Sequence, residues 1–228
     1  MKYLLVLFQF CIMQAQTNFD QAESLFYQEK FEMARPLFES YLKSNPSNLK
    51  TLEYLGDIHG HFKNWDKAIF YYEKLKNKKP TEANYFYKYG GVLGMKAKES
   101  NRFVALSMIG DVKAAFEKSI LLNPKHIEAR YALIELYLQL PGIVGGSERK
   151  ANKYADELMI ISPIDGNLSK GRISEYTNQY KSAEKYYRTA FELGKSKVTY
   201  QKLYDFYSKI AKLPQKALLL KTEFENKI

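Results

Sequence analysis

The sequence repeats itself every 34 residues. Aligning Phe31 to Pro46 with Trp65 to Pro80 puts Ala34 on Ala68, Phe38 on Tyr72, Tyr41 on Leu75 and Pro46 on Pro80. The pattern returns as Phe116, Ser119 and Pro124, as Ala151, Ala155, Leu158 and Pro163, and as Ala183, Tyr187 and Ala190. Ala217 and Phe224 echo it a last time. A fixed period of this length means that one supersecondary unit is stacked on copies of itself, because no single copy can bury its apolar face alone.

The unit is a pair of helices. Between Asp66 and Asn77, Ala68, Ile69, Tyr72 and Leu75 draw one apolar stripe at helical spacing. Upstream of each such block lies a second amphipathic stretch, with Leu55-Gly56 or Tyr89-Gly90 followed three residues later by His59 or Leu93. The small residues Gly56 and Ala68 let the two helices approach closely. The proline ends the second helix, since it cannot continue a helical hydrogen-bond ladder. Composition agrees: only 12 Gly and 7 Pro stand against 19 Tyr and 14 Phe, as expected of helices packed by bulky rings.

The second repeat holds Leu52, Leu55-Gly56, Ala68, Tyr72, Leu75 and Pro80. On these residues the chain resembles the tetratricopeptide repeat family, over nearly all of residues 15–228. The resemblance implies an all-α, right-handed solenoid of about six antiparallel helix pairs, with repeats at 15–48, 49–82, 83–126, 127–165, 166–197 and 198–228. Two repeats exceed the period. The third carries about ten extra residues between Leu93 and Val112. They form a lengthened helical hairpin, its apolar residues packed on a neighbour, or a flap over one end of a groove, and the two readings are not exclusive. The fourth adds a loop, Leu140-Pro-Gly-Ile-Val-Gly-Gly-Ser147, in which Ser147 is placed to cap the next helix. Together these two features resemble an exported bacterial subgroup of repeat proteins with no established activity.

Residues 1–16 read as a secretory signal peptide, with Lys2 before an apolar run from Leu4 to Met13 and Ala15 as the small residue near cleavage. The run is too short to cross a bilayer as a helix. The reading places residues 17–228 outside the cytoplasm, periplasmic or secreted; an uncleaved anchor is the alternative. The only cysteine, Cys11, falls within 1–16, so the mature solenoid would hold no thiol, disulfide or cysteine-based zinc site.

Catalytic chemistry finds no foothold. His59 and His61 are two apart and diverge on a helix, and neither they nor His126 belongs to a metal-binding spacing. There is no Gly-x-Ser-x-Gly elbow, and Gly90, Gly91 and Gly94 suit helix packing better than a nucleotide loop. No enzyme activity, metal or cofactor is expected. The net charge of +10 is weighted toward residues 150–228, but the lysines are dispersed and form no Arg-rich stripe, which with export argues against nucleic acid and leaves an acidic partner, the anionic envelope surface or solubility.

In the family resembled, the first helix of each repeat lines a concave groove that binds a peptide or a partner's helix. The matching positions are Glu53, Asp57 and His61, then Tyr87, Gly91 and Met95, then Tyr131, Glu135 and Gln139. Lys170, Ser174 and Asn178 follow, and then Lys202 and Phe206. This surface is expected to run from acidic through aromatic to basic, with Tyr87 and Tyr131 as central anchors. The expected function is a protein–protein interaction module of the envelope. The other readings are a self-assembling component, stacking through the apolar helix Pro214 to Ile228, and an accessory of an envelope enzyme complex.

Overall fold

The computed structural model describes residues 18–225. The signal peptide, Cys11, the cleavage site and Ile228 lie outside them. Every regular element among the described residues is helical, and the chain divides into two compact units, Met1–Leu122 and Asn123–Ile228.

Unit 1 holds three helix pairs: α1 (18–27) with α2 (Phe31–Ser44), α3 (Leu49–His61) with α4 (Trp65–Lys78), and α5 (Ala83–Glu99) with α6 (Arg102–Leu122). Two clusters make its core. Ala22, Ala34, Phe38, Tyr54, Leu55 and Ile58 form the first. Leu52, Ala68, Tyr72, Leu75, Tyr85 and Val92 form the second. Aromatic contact is dense: Tyr54 stacks on Phe38 at 4.8 Å and meets Phe26 at 4.5 Å. Each fully buried ring contributes roughly 1.5–3 kcal/mol.

Unit 2 holds α7 (Ile127–Gln139) with α8 (Glu148–Ile161), α9 (Pro163–Tyr176) with α10 (Tyr180–Gly194), and α11 (Lys197–Asp205) with α12 (Pro214–Glu225). Its core gathers Ala183, Tyr187, Phe191, Leu203, Phe206, Tyr207 and Leu220.

Local sequence explains where the helices start and stop. Asn48, Ser147, Ser162 and Ser196 each accept a hydrogen bond from the backbone N–H three residues on, filling the first orphan donors. His126 does the same for α7 through Nδ1. Asn101 caps α6, accepting from the N–H groups of Phe103 and Val104 at 3.1 Å. Pro46, Pro80 and Pro124 each follow the end of a second helix by two residues. Pro163 behaves differently: Ser162 closes α8 and caps α9, so Pro163 is the first residue of α9, where its missing N–H costs nothing.

The ten extra residues of the third repeat lengthen both arms of one hairpin. Helix α5 has 17 residues and α6 has 21, against 13 and 14 in α3 and α4. The expectation that the inserted apolar residues pack on a neighbour fails at the tip, where Phe103 is 87% exposed. In the fourth repeat the loop forms one 3-10 turn over Gly142–Val144, and Ser147 caps α8 as expected.

Candidate functional site

One device holds the first and second helices of a pair together. In α3, a Cβ on Gly56 would lie 2.8 Å from Cζ of Tyr72, so the Tyr72 ring of α4 fills the glycine notch. The Tyr72 hydroxyl then donates to Asp57 at the edge of the notch. Unit 2 repeats the arrangement: a Cβ on Gly171 would lie 2.6 Å from the Tyr187 ring, and the Tyr187 hydroxyl donates to Glu175 at 2.9 Å. Both tyrosines follow their glycine by 16 positions. In the long hairpin the notch at Gly90 is filled by Phe116, 26 positions on. Burial, reinforced by the neighbouring carboxylate, pushes the pKa of both tyrosines far above the ordinary value. The rings are packing elements that also fix a carboxylate.

A second device links successive first helices. In unit 1, Lys88 of α5 reaches back to α3, its Nζ lying 2.8 Å from Glu53 and 2.9 Å from Asp57. Burial alone would lower the Lys88 pKa; Asp57 and Glu53 outweigh it and raise the pKa. In unit 2, Arg172 of α9 grips Glu135 of α7 with two bonds of 2.7 and 3.1 Å. Burial alone would raise the Glu135 pKa, but Arg172 holds it below the usual carboxylate range. Gln139 adds a bond to Glu135 at 3.0 Å.

These bonds change the charge expected of the face. The stripe in unit 1 is not an acidic end, because Lys88 sits between Glu53 and Asp57. What remains is a recess of about 270 Å³ lined by Gly56, Asp57, Gly60, Tyr72, Tyr87, Lys88, Gly91 and Val92. Tyr87 stands half-buried, its ring 6.0 Å from Phe116. The floor is open at Gly91: a Cβ there meets nothing within 4 Å, and at Gly60 only Val92, at 4.0 Å. His61, at the end of α3, is exposed and packs on Phe31 at 4.5 Å; Met95 is exposed on α5.

In unit 2 the stripe is mostly engaged. Tyr131 donates to the Asp165 carboxylate at 3.0 Å and to its backbone carbonyl at 3.1 Å, so it staples α7 to α9. Lys170 bonds Asn152 at 2.9 Å and pairs with Asp156 at 2.6 Å, both on α8. Ser174 is buried. Asn178 lies beyond the end of α9 in a left-handed turn and accepts from Tyr180. Lys202 is exposed. Phe206 is a correction. Only 1% exposed, it lies 5.5 Å from the Tyr187 ring and offers no surface to a partner. The buried stripe of the last pair runs through Thr199, Leu203, Phe206 and Tyr207, and extrapolating the groove register from Lys202 landed on it.

Lys88 and Arg172 went unnoticed in the sequence. Their signal was there: Glu53 with Lys88 and Glu135 with Arg172 are opposite charges 35 and 37 residues apart, close to one period. Among the described residues no group of three His, Cys, Asp or Glu could hold a metal ion.

A stack of helix pairs locked by glycine notches defines the class as an α-helical repeat fold. Two stretches, residues 19–83 and 164–196, match family models of the tetratricopeptide repeat. Solved structures share the fold at low identity. A thermophilic TPR protein from Thermus thermophilus is 15% identical, with 90% of this chain and 99% of that one covered and a TM-score of 0.63. A tetratricopeptide repeat protein from Parabacteroides merdae is 14% identical, covering 94% and 80% at a TM-score of 0.65. PilW, a type IV pilus biogenesis factor, is 17% identical, covering 93% and 92% at 0.65. No curated protein is significantly similar in sequence. The chain therefore contains tetratricopeptide repeats and has their fold.

Proposed function

We propose that the chain is a non-enzymatic protein–protein interaction module of the cell envelope, in which the recess of unit 1 anchors an extended segment or helix of a partner. The observation that carries this reading is Gly91. A glycine inside a helix costs about 0.5–1 kcal/mol relative to alanine. Gly56 and Gly90 offset that cost by admitting a ring, whereas Gly91 admits nothing from its own chain. Flanked by Tyr87, Lys88 and Asp57, it keeps open a floor that a partner side chain can enter. Tyr87 supplies the aromatic wall, the kind of residue that dominates interface energetics. One structural neighbour, YrrB, is described as a TPR protein with an unusual peptide-binding site, which supports a binding role for such a surface. The placement in the envelope rests on the reading of residues 1–16 as an export signal.

The test is to fill the recess. Gly91→Leu and Tyr87→Ala should each abolish or weaken, by tenfold or more, the capture of a partner that the unaltered chain retains. Gly110→Ala is the control, since Gly110 also has nothing within 4 Å but lies exposed on α6. Retention of the partner by Gly91→Leu would remove the recess from consideration.

A second reading has its own observation. Leu218 and Leu219 on α12 are 65% and 70% exposed, while Ala217 and Leu220 beside them are buried. Self-association through this helix would appear as a concentration-dependent dimer that Leu218→Lys with Leu219→Lys dissolves.

A further inference from the structure

The turns that join the two helices of each pair lie along one edge of unit 1. Phe31 packs on His61 across the first two turns at 4.5 Å. Glu99, at the third, accepts from Lys63 at 3.0 Å and from Trp65 at 2.7 Å at the second. At the far end of this edge the lengthened α5–α6 hairpin presents an unusual tip.

After Arg102, the first turns of α6 are rich in apolar residues. Residues 103–110 contain no charged side chain and include Phe103, Val104, Leu106, Met108 and Ile109. A helix of that composition is ordinarily buried. Here Phe103 is 87% exposed, Leu106 45% and Val104 40%. The charges beside them are one-sided. Glu99 is taken by Lys63 and Trp65, and Asp66 by Lys96. Lys98 and Arg102 make no hydrogen bond or ion pair among the described residues, and Lys67 on α4 is likewise unpaired. Cations therefore flank the turn of the hairpin and exposed apolar residues follow on α6 beside them, while the two nearest acids, Glu99 and Asp66, are paired. No described helix is long and apolar enough to cross a membrane.

We propose that the tip of the α5–α6 hairpin docks onto an anionic lipid surface. Phe103, Val104 and Leu106 enter the boundary between headgroups and acyl chains, and Lys98 and Arg102 meet lipid phosphates. An apolar side chain in that boundary leaves water as it would in a core. A lysine or arginine close to an anionic bilayer contributes about 1 kcal/mol. The docking uses a different surface from the recess and does not depend on it.

The experiment is co-sedimentation of the full chain with vesicles of phosphatidylcholine alone and of phosphatidylcholine mixed with phosphatidylglycerol. Binding to the mixed vesicles should be roughly thirtyfold tighter, the fold-change for two such cations. Lys98→Gln with Arg102→Gln should remove that preference. Phe103→Ser with Leu106→Ser should weaken binding to both vesicles by about tenfold or more. All four residues are exposed, and far-UV circular dichroism should show unchanged helix content. Binding equal on both vesicles and indifferent to both substitution pairs would overturn the proposal, leaving the apolar run of residues 4–13 as the anchor. Absence of vesicle binding would also overturn it.

Discussion

Two glycines of unit 1 give opposite expectations for the same substitution. At Gly56 an added methyl would sit 2.8 Å from Cζ and 3.0 and 3.1 Å from the Cε atoms of Tyr72. That ring is only 2% exposed, and its hydroxyl is held by Asp57, so it cannot step aside cheaply. Overpacking costs about 1–3 kcal/mol. Displacing the ring instead would forfeit a hydrogen bond to a charged acceptor, about 1.5–3 kcal/mol. The gain from alanine in a helix is about 0.5–1 kcal/mol, so Gly56→Ala should destabilise by about 1–3 kcal/mol net. Gly91→Ala meets nothing and should stabilise by about 0.5–1 kcal/mol. Urea unfolding followed by fluorescence reads this cleanly, because the single tryptophan, Trp65, belongs to α4 of the same unit. With a slope of about 2–3 kcal/mol per molar, the midpoint should fall for Gly56→Ala and rise by about 0.2–0.5 M for Gly91→Ala. If Gly56→Ala were neutral or stabilising, the notch would not lock Tyr72, and the contrast that singles out Gly91 would collapse.

Other consequences follow from the same contacts. Lys88→Met should leave Glu53 without its cation and Asp57 with only the Tyr72 hydroxyl, and cost about 1–2 kcal/mol, allowing for solvent at a partly exposed site; chemical denaturation measures it. His59 is buried, neither ring nitrogen has a hydrogen-bond partner among the described residues, and burial, with the charge of Lys67, lowers its pKa. Below about pH 6.5 the unfolded chain binds the proton more readily than the folded one. Its contribution to stability is therefore complete above that pH and is lost as the pH falls toward the lowered folded value. His59→Phe should reduce the slope of stability against pH on the acid side, measured from urea midpoints between about pH 5 and 7. Lys195, at the C-cap of α10, has a left-handed backbone with φ of 44°, and Lys195→Gly should raise the thermal midpoint by relieving strain of about 1 kcal/mol.

The fold was legible because a stacked repeat writes its core into the sequence at every period. Ala34, Phe38, Ala68 and Tyr72 are all buried, and the same spacing that aligned them packs them. The lengthened hairpin was visible as extra residues with helical character. Its exposed tip was not, because apolar side chains imply burial, and nothing in residues 103–106 alone says that no neighbour reaches them. The site was read less well. Glu53 and Asp57 looked like an acidic end because the pairing that neutralises them joins residues of neighbouring repeats. Phe206 looked like a groove residue because position within a repeat was extended into the last pair. There the helix widens to a π-turn over Phe206–Ile210, and the aromatic rings are turned inward to complete the core.

The most direct test of the central claim compares the affinity of a captured partner for the unaltered chain, Gly91→Leu and the Gly110→Ala control, with thermal denaturation run beside each. The account predicts that Gly110→Ala binds as the unaltered chain does, while Gly91→Leu stays folded and loses tenfold or more. Equal affinity for all three would contradict it and place the partner on some other surface.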